Sequence, residues 1–291
     1  MWLVPCAIFS HGGVVFIRFG LHPLFMSEAS VRLNKEVDTE GALVVCCFPS
    51  VGMVSGVVAH FLIDHLELEF VGGVTHPKLP ALCLVDKGTP LPPIRAYAGK
   101  PICKIEGCDK VVLLTSELVV PEPLVNDIVT ELFTWSKDSN AAMGVLVDAF
   151  ARKGMKGSLS GQEPVVEYED TEEVDVLGVA ATPIMAELLE SMGIPLLEQG
   201  VIKGMTGLML GEGARRGRNI MSIMVEADPR FPDARAAAII IQQLNKMLPI
   251  ADLDHEPLIA EAKELEEHIR TMMSGADSDP SNPSSASMLY G

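Results

Sequence analysis

Seven consecutive apolar residues, Ala42 to Phe48, stop at Pro49. A run of this length with no polar alternation has no face to offer water. As a strand it must be buried on both sides, which is the signature of a parallel sheet covered by helices. Pro49-Ser50-Val51-Gly52 then reads as a turn. Met53, Val54, Val57, Val58, Phe61, Leu62 and His65 recur at helical spacing. Leu68 to Val74 returns to strand character. The opening is therefore a strand–helix–strand unit, for which a right-handed crossover is expected.

The same alternation continues along the chain. Ala81 to Val85 is a short apolar run, and Gly88 to Pro93 is a stiff loop because its three prolines fix φ and withhold donors. Pro101–Ile105 and Lys110–Leu114 read as adjacent strands across a turn at Glu106–Asp109. Pro123 to Trp135 has helical period with proline in its first turn. Gly144–Ala149 is a strand, Lys153–Asp170 a polar loop or irregular edge, Val174–Ala180 a strand and Pro183–Met192 a helix. Asn219–Glu226 is a strand and Asp233–Leu248 an Ala-rich helix. The pattern predicts a layered α/β fold with a mainly parallel sheet flanked by helices.

Both ends differ from this body. Residues 1–25 are apolar but interrupted by His11, Arg18 and His22, with no basic leader and no clear cleavage site. Met26-Ser27-Glu28-Ala29 looks like an ordinary start, so 1–25 is expected to be an extension outside the fold, or else a short extra packing segment. Residues 26–250 form the α/β domain. In residues 251–273, Leu258, Ala262, Leu265, Ile269 and Met272 step by four and three, a heptad seam with Glu residues on its other faces. A seam of about two heptads is not stable alone, so it packs on the body or serves as an oligomer contact. Residues 274–291 are Ser/Pro/Asp-rich with almost nothing to bury and are expected to be disordered. No stretch reaches the length of a membrane span, and a cytoplasmic protein without membrane contact is expected.

Composition narrows the function. A formal net charge of −17 repels phosphate backbones, so no nucleic-acid partner is expected. The six cysteines show no CxxC spacing and no accompanying His set, and read as reduced, structural thiols. His60 and His65 share a helix five residues apart, which is not a metal face, and His76 stands in a loop before Pro77. Ser50 follows a strand as a nucleophile would, but Phe48-Pro49-Ser50-Val51-Gly52 is not a nucleophile elbow, and a packed or capping serine is expected. The glycine-dense stretch Gly200–Gly213 lacks both phosphate-loop patterns. Its glycines are expected to let a Met/Leu-rich segment approach the sheet, with Lys203 its one candidate for meeting an anion. Arg215, Arg216 and Arg218 read as a solvated basic loop, or as a contact for an acidic partner. No catalytic residue, metal or cofactor is assigned. A pocket is expected where strand C-termini meet Ser50, Gly52, Gly204 and Gly207. A small-molecule-binding protein, or a hydrolase- or phosphorylase-like enzyme, is the alternative reading it would support.

The carboxyl terminus carries the strongest chemistry. Leu289-Tyr290-Gly291 places a hydrophobe, an aromatic with a hydroxyl, and a free carboxylate in succession. Leu289 can bury in a groove, Tyr290 can fill a slot while its hydroxyl finds a partner, and the carboxylate can pair with a lysine. A tether of the preceding length reaches roughly 20 Å.

Several segments, in order, resemble the proteasome assembly chaperone family, particularly its archaeal members. They are Phe48–Gly56, Phe70–Val74, Pro90–Arg95, Gly200–Leu210 and Val225–Asp233. The resemblance spans about Gly41 to Leu248. It implies an α/β fold related to nucleoside-phosphorylase-like sheets, without a known catalytic site. It also implies homo-oligomers formed through C-terminal helices, and docking of a hydrophobic–tyrosine–any-residue tail between α-subunits of the proteasome core particle. Leu289, Tyr290 and Gly291 match that tail.

Overall fold

A computed structural model of the 291-residue chain describes residues 7–10, 13–16, 28–33, 37, 39–99, 110–151, 156–160, 163–167, 174–230 and 232–247. The elements in chain order begin with β1 (Ala7–Ser10) and β2 (Gly13–Phe16), which among the described residues pair with each other alone. The body runs β3 (Ser30–Leu33), β4 (Leu43–Cys47), a 3-10 turn at Val51–Met53, α1 (Val54–His65), β5 (Glu69–Thr75), β6 (Leu84–Asp86), β7 (Thr89–Leu91), β8 (Ile94–Gly99) and β9 (Val111–Ser116). It continues with α2 (Glu122–Asp138), β10 (Met143–Ala151), β11 (Lys156–Ser160), β12 (Glu163–Glu167), β13 (Val176–Ala180), α3 (Pro183–Ser191), α4 (Gly204–Arg216), β14 (Ile220–Ala227) and α5 (Ala234–Met247).

One eight-stranded sheet holds the body together, in the order β13-β14-β10-β4-β9-β8-β5-β3. The pairings β14/β10, β10/β4 and β4/β9 are parallel, and the remaining four are antiparallel. Following these directions across the sheet, β14, β10, β4, β9 and β5 point one way and the other three oppose them. The parallel character sits at the centre, where β4 is buried along its whole length.

Alternation along the central strands sorts the core into two layers. Leu43, Val45 and Cys47 face a cluster with Leu113, Val145, Val147 and Ile223, closed by Val58 and Leu62 of α1, Leu189 of α3 and Ile240 and Leu244 of α5. Val44 and Cys46 face the opposite cluster with Leu114 and Leu146, closed by Ile128 and Leu132 of α2 and Met205 and Met209 of α4. The result is a sheet between helical layers, as the uninterrupted apolar run of β4 requires.

Several expectations need correction. β5 is separated from β4 by β9 and β8, so the first strand–helix–strand unit does not join neighbours. The segment read as a proline-stiffened loop contains β7, paired with β6 through Lys87 and Gly88. Both of those residues have positive φ, the geometry of a hairpin turn that follows the strand twist. β8 (Ile94–Gly99) follows directly on that proline-led segment and was not expected as a strand. Lys153–Asp170 contains the hairpin β11/β12, and Lys110–Leu114 forms β9, whose antiparallel partner is β8. Residues 101–105, proposed as a strand, lie outside the described residues. Cys46 and Cys47 are buried free thiols, but Cys83 is exposed and so is no core residue.

The glycine-dense segment approaches the sheet as expected, and from Gly204 onward it does so as a helix. It forms α4, although each interior glycine costs a helix about 1 kcal/mol. Burial of Met205, Met209 and Leu210 on the sheet outweighs that cost. Gly213 earns its place by close approach: a Cβ there would lie 3.2 Å from Ala181 and from Ile220.

Among the described residues no helix is long and apolar enough to cross a membrane.

Candidate functional site

The C-terminal ends of the central parallel strands β4 and β10 lie on one edge of the sheet, with β10 running four residues past its last pairing with β4, and a cleft of about 450 Å³ opens there. Phe48, Pro49, Ser50 and Val51 form one wall; Val119 and Val120 after β9 form another; Val201–Thr206, leading into α4, form the third. Asp148 and Met224 lie on its floor side. Val119 and Val201 on the rim are 72% and 86% exposed.

Ser50 and Gly204 line this cleft, whereas Gly52 and Gly207 do not. Gly52, at φ +60°, turns the chain away from the strand end, and its missing side chain would meet the Asp228 carbonyl oxygen at 2.8 Å. Its own carbonyl accepts the Asp233 N–H at 2.8 Å. Asp233 in turn accepts from the N–H groups of Ala236 and Asp228, capping α5. Gly207 sits where a Cβ would be 2.1 Å from the Ile202 carbonyl oxygen, so it closes the first turn of α4 on its own approach loop.

Ser50 is committed to structure. Its hydroxyl accepts the Ser55 N–H at 3.0 Å and lies 2.8 Å from the Ser55 hydroxyl, which donates to the Val147 carbonyl at 2.8 Å. Each hydroxyl has one proton. Every contact is satisfied if Ser50 donates to Ser55 and Ser55 donates to Val147. This relay pins the start of α1 to β10 and leaves Ser50 no base. Asp148 is the acid that sequence reading passed over. Burial raises its pKa, opposed by hydrogen bonds from the Thr206 hydroxyl and the Ala149 N–H. Its signal was present: it is the first polar residue after the apolar Val145-Leu146-Val147, at the C-terminal end of a buried strand. The cleft walls are thus mostly apolar, with one partly shielded carboxyl and Lys203 as charged groups. That surface can hold an apolar group, and among the described residues it offers no nucleophile–base pair.

Two other polar clusters serve the scaffold. Arg95 is only 3% exposed, yet its guanidinium pairs through both terminal nitrogens with Glu117 and donates to the Tyr97 hydroxyl at 3.1 Å. His60 lies 3.5 Å from the same carboxylate. Burial alone would raise the Glu117 pKa, but hydrogen bonds from His60 and Arg95 win and hold it at about 2. A depressed carboxylate stabilises the fold above its ordinary pKa, and the benefit disappears as pH falls through the folded value. Glu117→Gln is therefore expected to lose ~2 kcal/mol at neutral pH, allowing for the carboxylate's partial exposure. The gap between wild type and variant should close as pH drops from about 4.5 toward about 2. Urea unfolding across that range checks it; a gap independent of pH would contradict the assignment.

Glu28, His76 and Asp127 form the one His/Cys/Asp/Glu group of metal-binding dimensions among the described residues. His76 Nδ1 accepts the Lys78 N–H at 3.0 Å, so the ring proton sits on Nε2, 3.3 Å from Asp127. A metal on Nε2 would force that proton onto Nδ1, against the Lys78 N–H. The Glu28 carboxylate is paired with Lys78 Nζ at 2.9 Å. The group fits a hydrogen-bonded clamp rather than a cation site.

Arg215 and Arg216, expected in a loop, lie in the last turn of α4. Both bind Glu212, and the Arg216 guanidinium stacks 4.8 Å above Phe133. The heptad residues Leu258, Ala262, Leu265, Ile269 and Met272, and the tip Leu289, Tyr290 and Gly291, lie outside the described residues.

The segments quoted for their family resemblance thus converge on two places: the Gly52–Asp228–Asp233 junction with the adjoining cleft, and the Arg95–Tyr97 side of the sheet, where Phe70 packs edge-on to Tyr97. The PAC2 family profile matches residues 44–273. The chain belongs to the PAC2 family. Pyrococcus furiosus PbaA, described as an archaeal homolog of proteasome-assembly chaperone, is 29% identical and superposes with a TM-score of 0.68, covering 86% of this chain and 94% of PbaA. Pyrococcus furiosus PbaB, described as an archaeal proteasome activator, has a TM-score of 0.68 at 20% identity, covering 85% of this chain and all of PbaB, and shows the shared fold. A protein of Methanocaldococcus jannaschii is 23% identical over 237 residues, 81% of this chain and 87% of its own length. The PAC2 match ends at residue 273, before the Ser/Pro/Asp-rich segment.

Proposed function

We propose that this PAC2 protein works in the cytoplasm by binding proteasome core-particle α-subunits through Leu289-Tyr290-Gly291, as an assembly chaperone or as an activator of the mature particle. The observation that carries the reading is the family match over residues 44–273, joined to the likeness to PbaA. The tip supplies the contact chemistry, and the composition of residues 274–287 suits a tether. The seam Leu258–Met272 makes the chain a homo-oligomer, so several tips engage one ring. Each tip is weak alone, and linkage raises the effective concentration of the others.

The hydroxyl relay that occupies Ser50 speaks against a hydrolase-like enzyme at the cleft. The apolar cleft itself keeps small-molecule binding as the second reading. The deciding experiment is capture of proteasome α-subunits by the full chain and by a chain ending at Met288. Loss of capture on truncation supports the tail; equal capture refutes it.

A further inference from the structure

A second cavity lies at the opposite ends of the same strands, between the sheet and the α2/α4 layer. Its volume is about 140 Å³. That matches an engineered apolar cavity large enough to take benzene. The walls are aliphatic and aromatic, with Leu114 and Leu146 from the sheet, Phe133 and Trp135 from α2 and Met209 from α4.

The polar side chains of the lining are Ser136 of α2, whose hydroxyl donates to the Phe133 carbonyl, and Arg218 and Asn219 in the turn Gly217-Arg218-Asn219 between α4 and β14. Gly217 ends α4 at φ +62°, which folds the chain back toward β14. The turn's backbone is occupied: Arg218 N–H donates to Gly213, and the Asn219 carbonyl accepts from Gly144. The Asn219 side-chain oxygen accepts from Thr182 at 3.1 Å, which leaves its amide hydrogens as donors. Arg218 is half-buried and has no ion-pair partner among the described residues. Its neighbours Arg215 and Arg216 are both paired with Glu212. A chamber with aliphatic and aromatic walls, lined at one turn by an arginine with no ion pair among the described residues and by an amide donor, is complementary to a ring bearing an anion.

We propose that this cavity binds a small aromatic monocarboxylate, with the ring inside and the carboxylate on Arg218 and Asn219. The binding is reversible and non-covalent. The one thiol in the lining, Cys46, is held inert because burial pushes it up to about 12. The site is separate from the Ser50 cleft and independent of the tail's role.

The chain's two tryptophans make the test direct, because Trp2→Phe leaves Trp135 as the sole indole. Sodium benzoate titrated into full-length Trp2→Phe should change Trp135 emission saturably, with a Kd of ~0.1–1 mM for so small a ligand. Arg218→Gln, on a half-buried turn, should weaken benzoate ~10-fold while leaving benzyl alcohol within ~2-fold. No saturable response to benzoate, or an Arg218→Gln effect equal for the charged and the neutral ligand, would overturn the proposal.

Discussion

Tyr290→Ala, in an otherwise intact chain, is expected to abolish co-migration with the proteasome core particle on native gels. A buried aromatic anchor at an interface centre is commonly worth ~2 kcal/mol or more, a loss of ~30-fold per tip. In the proposed oligomer several tips act together, so single-tip losses multiply and apparent affinity should fall by ~10²–10⁴-fold. Tyr290→Phe separates the ring from its hydroxyl and should cost only the ~1 kcal/mol of one hydrogen bond per tip. The ordering wild type, then Phe, then Ala is the specific signature. Equal binding by all three would remove the tail from the mechanism and leave the family relationship standing without it.

Gly52→Ala should be the most damaging small substitution in the body. An alanine at φ +60° costs ~1–2 kcal/mol in backbone strain. Its Cβ would also press on the Asp228 carbonyl oxygen at 2.8 Å and on the side-chain carbons of Ala227 and Asp233 at 3.1 Å. Relief requires moving the start of α5, which is tied there by the Asp233 N–H to Gly52 and by the Asp233 cap. Overpacking of this kind adds ~1–3 kcal/mol. The expected total of ~2–5 kcal/mol corresponds to a fall in Tm of ~5–20 °C for a domain of this size. Gly41→Ala is the control: its φ is similar, +73°, but nothing lies within 4 Å of the added carbon. It should lose only the strain term. Equal Tm losses for the two variants would show that the Gly52 contact is not under compression.

These two expectations rest on different information. The tip is legible as sequence because the docking proposed for it needs only local chemistry, a hydrophobe, a phenol and a carboxylate in succession. The role of Gly52 is legible only in part. Phe48–Gly56 and Val225–Asp233 both stood out as segments of family resemblance, yet their contact, across more than 170 residues of chain, is a product of folding. Ser50 shows the same division. That it would pack or cap was expected from the missing elbow motif, and its hydroxyl accepts the Ser55 N–H of α1. That the Val147 carbonyl completes its hydrogen-bond chain depended on β10 lying beside β4. Asp148 lay within a strand that had been read correctly, but the burial that raises its pKa comes from α4 and the loops around it.

What the sequence alone determined is the layered architecture: β4 is apolar on both faces, and a strand with no wet side can be stable only between two layers of helix. It also determined where helices and strands begin, wherever apolar period was undiluted, as in α1, α2 and β14. Strand order, the antiparallel flanks and the helical state of Gly204–Arg216 were decided only in three dimensions. Pairing partners are set by long-range burial that no local window contains, and glycine's poor helix propensity was overridden by the surface that α4 buries on the sheet.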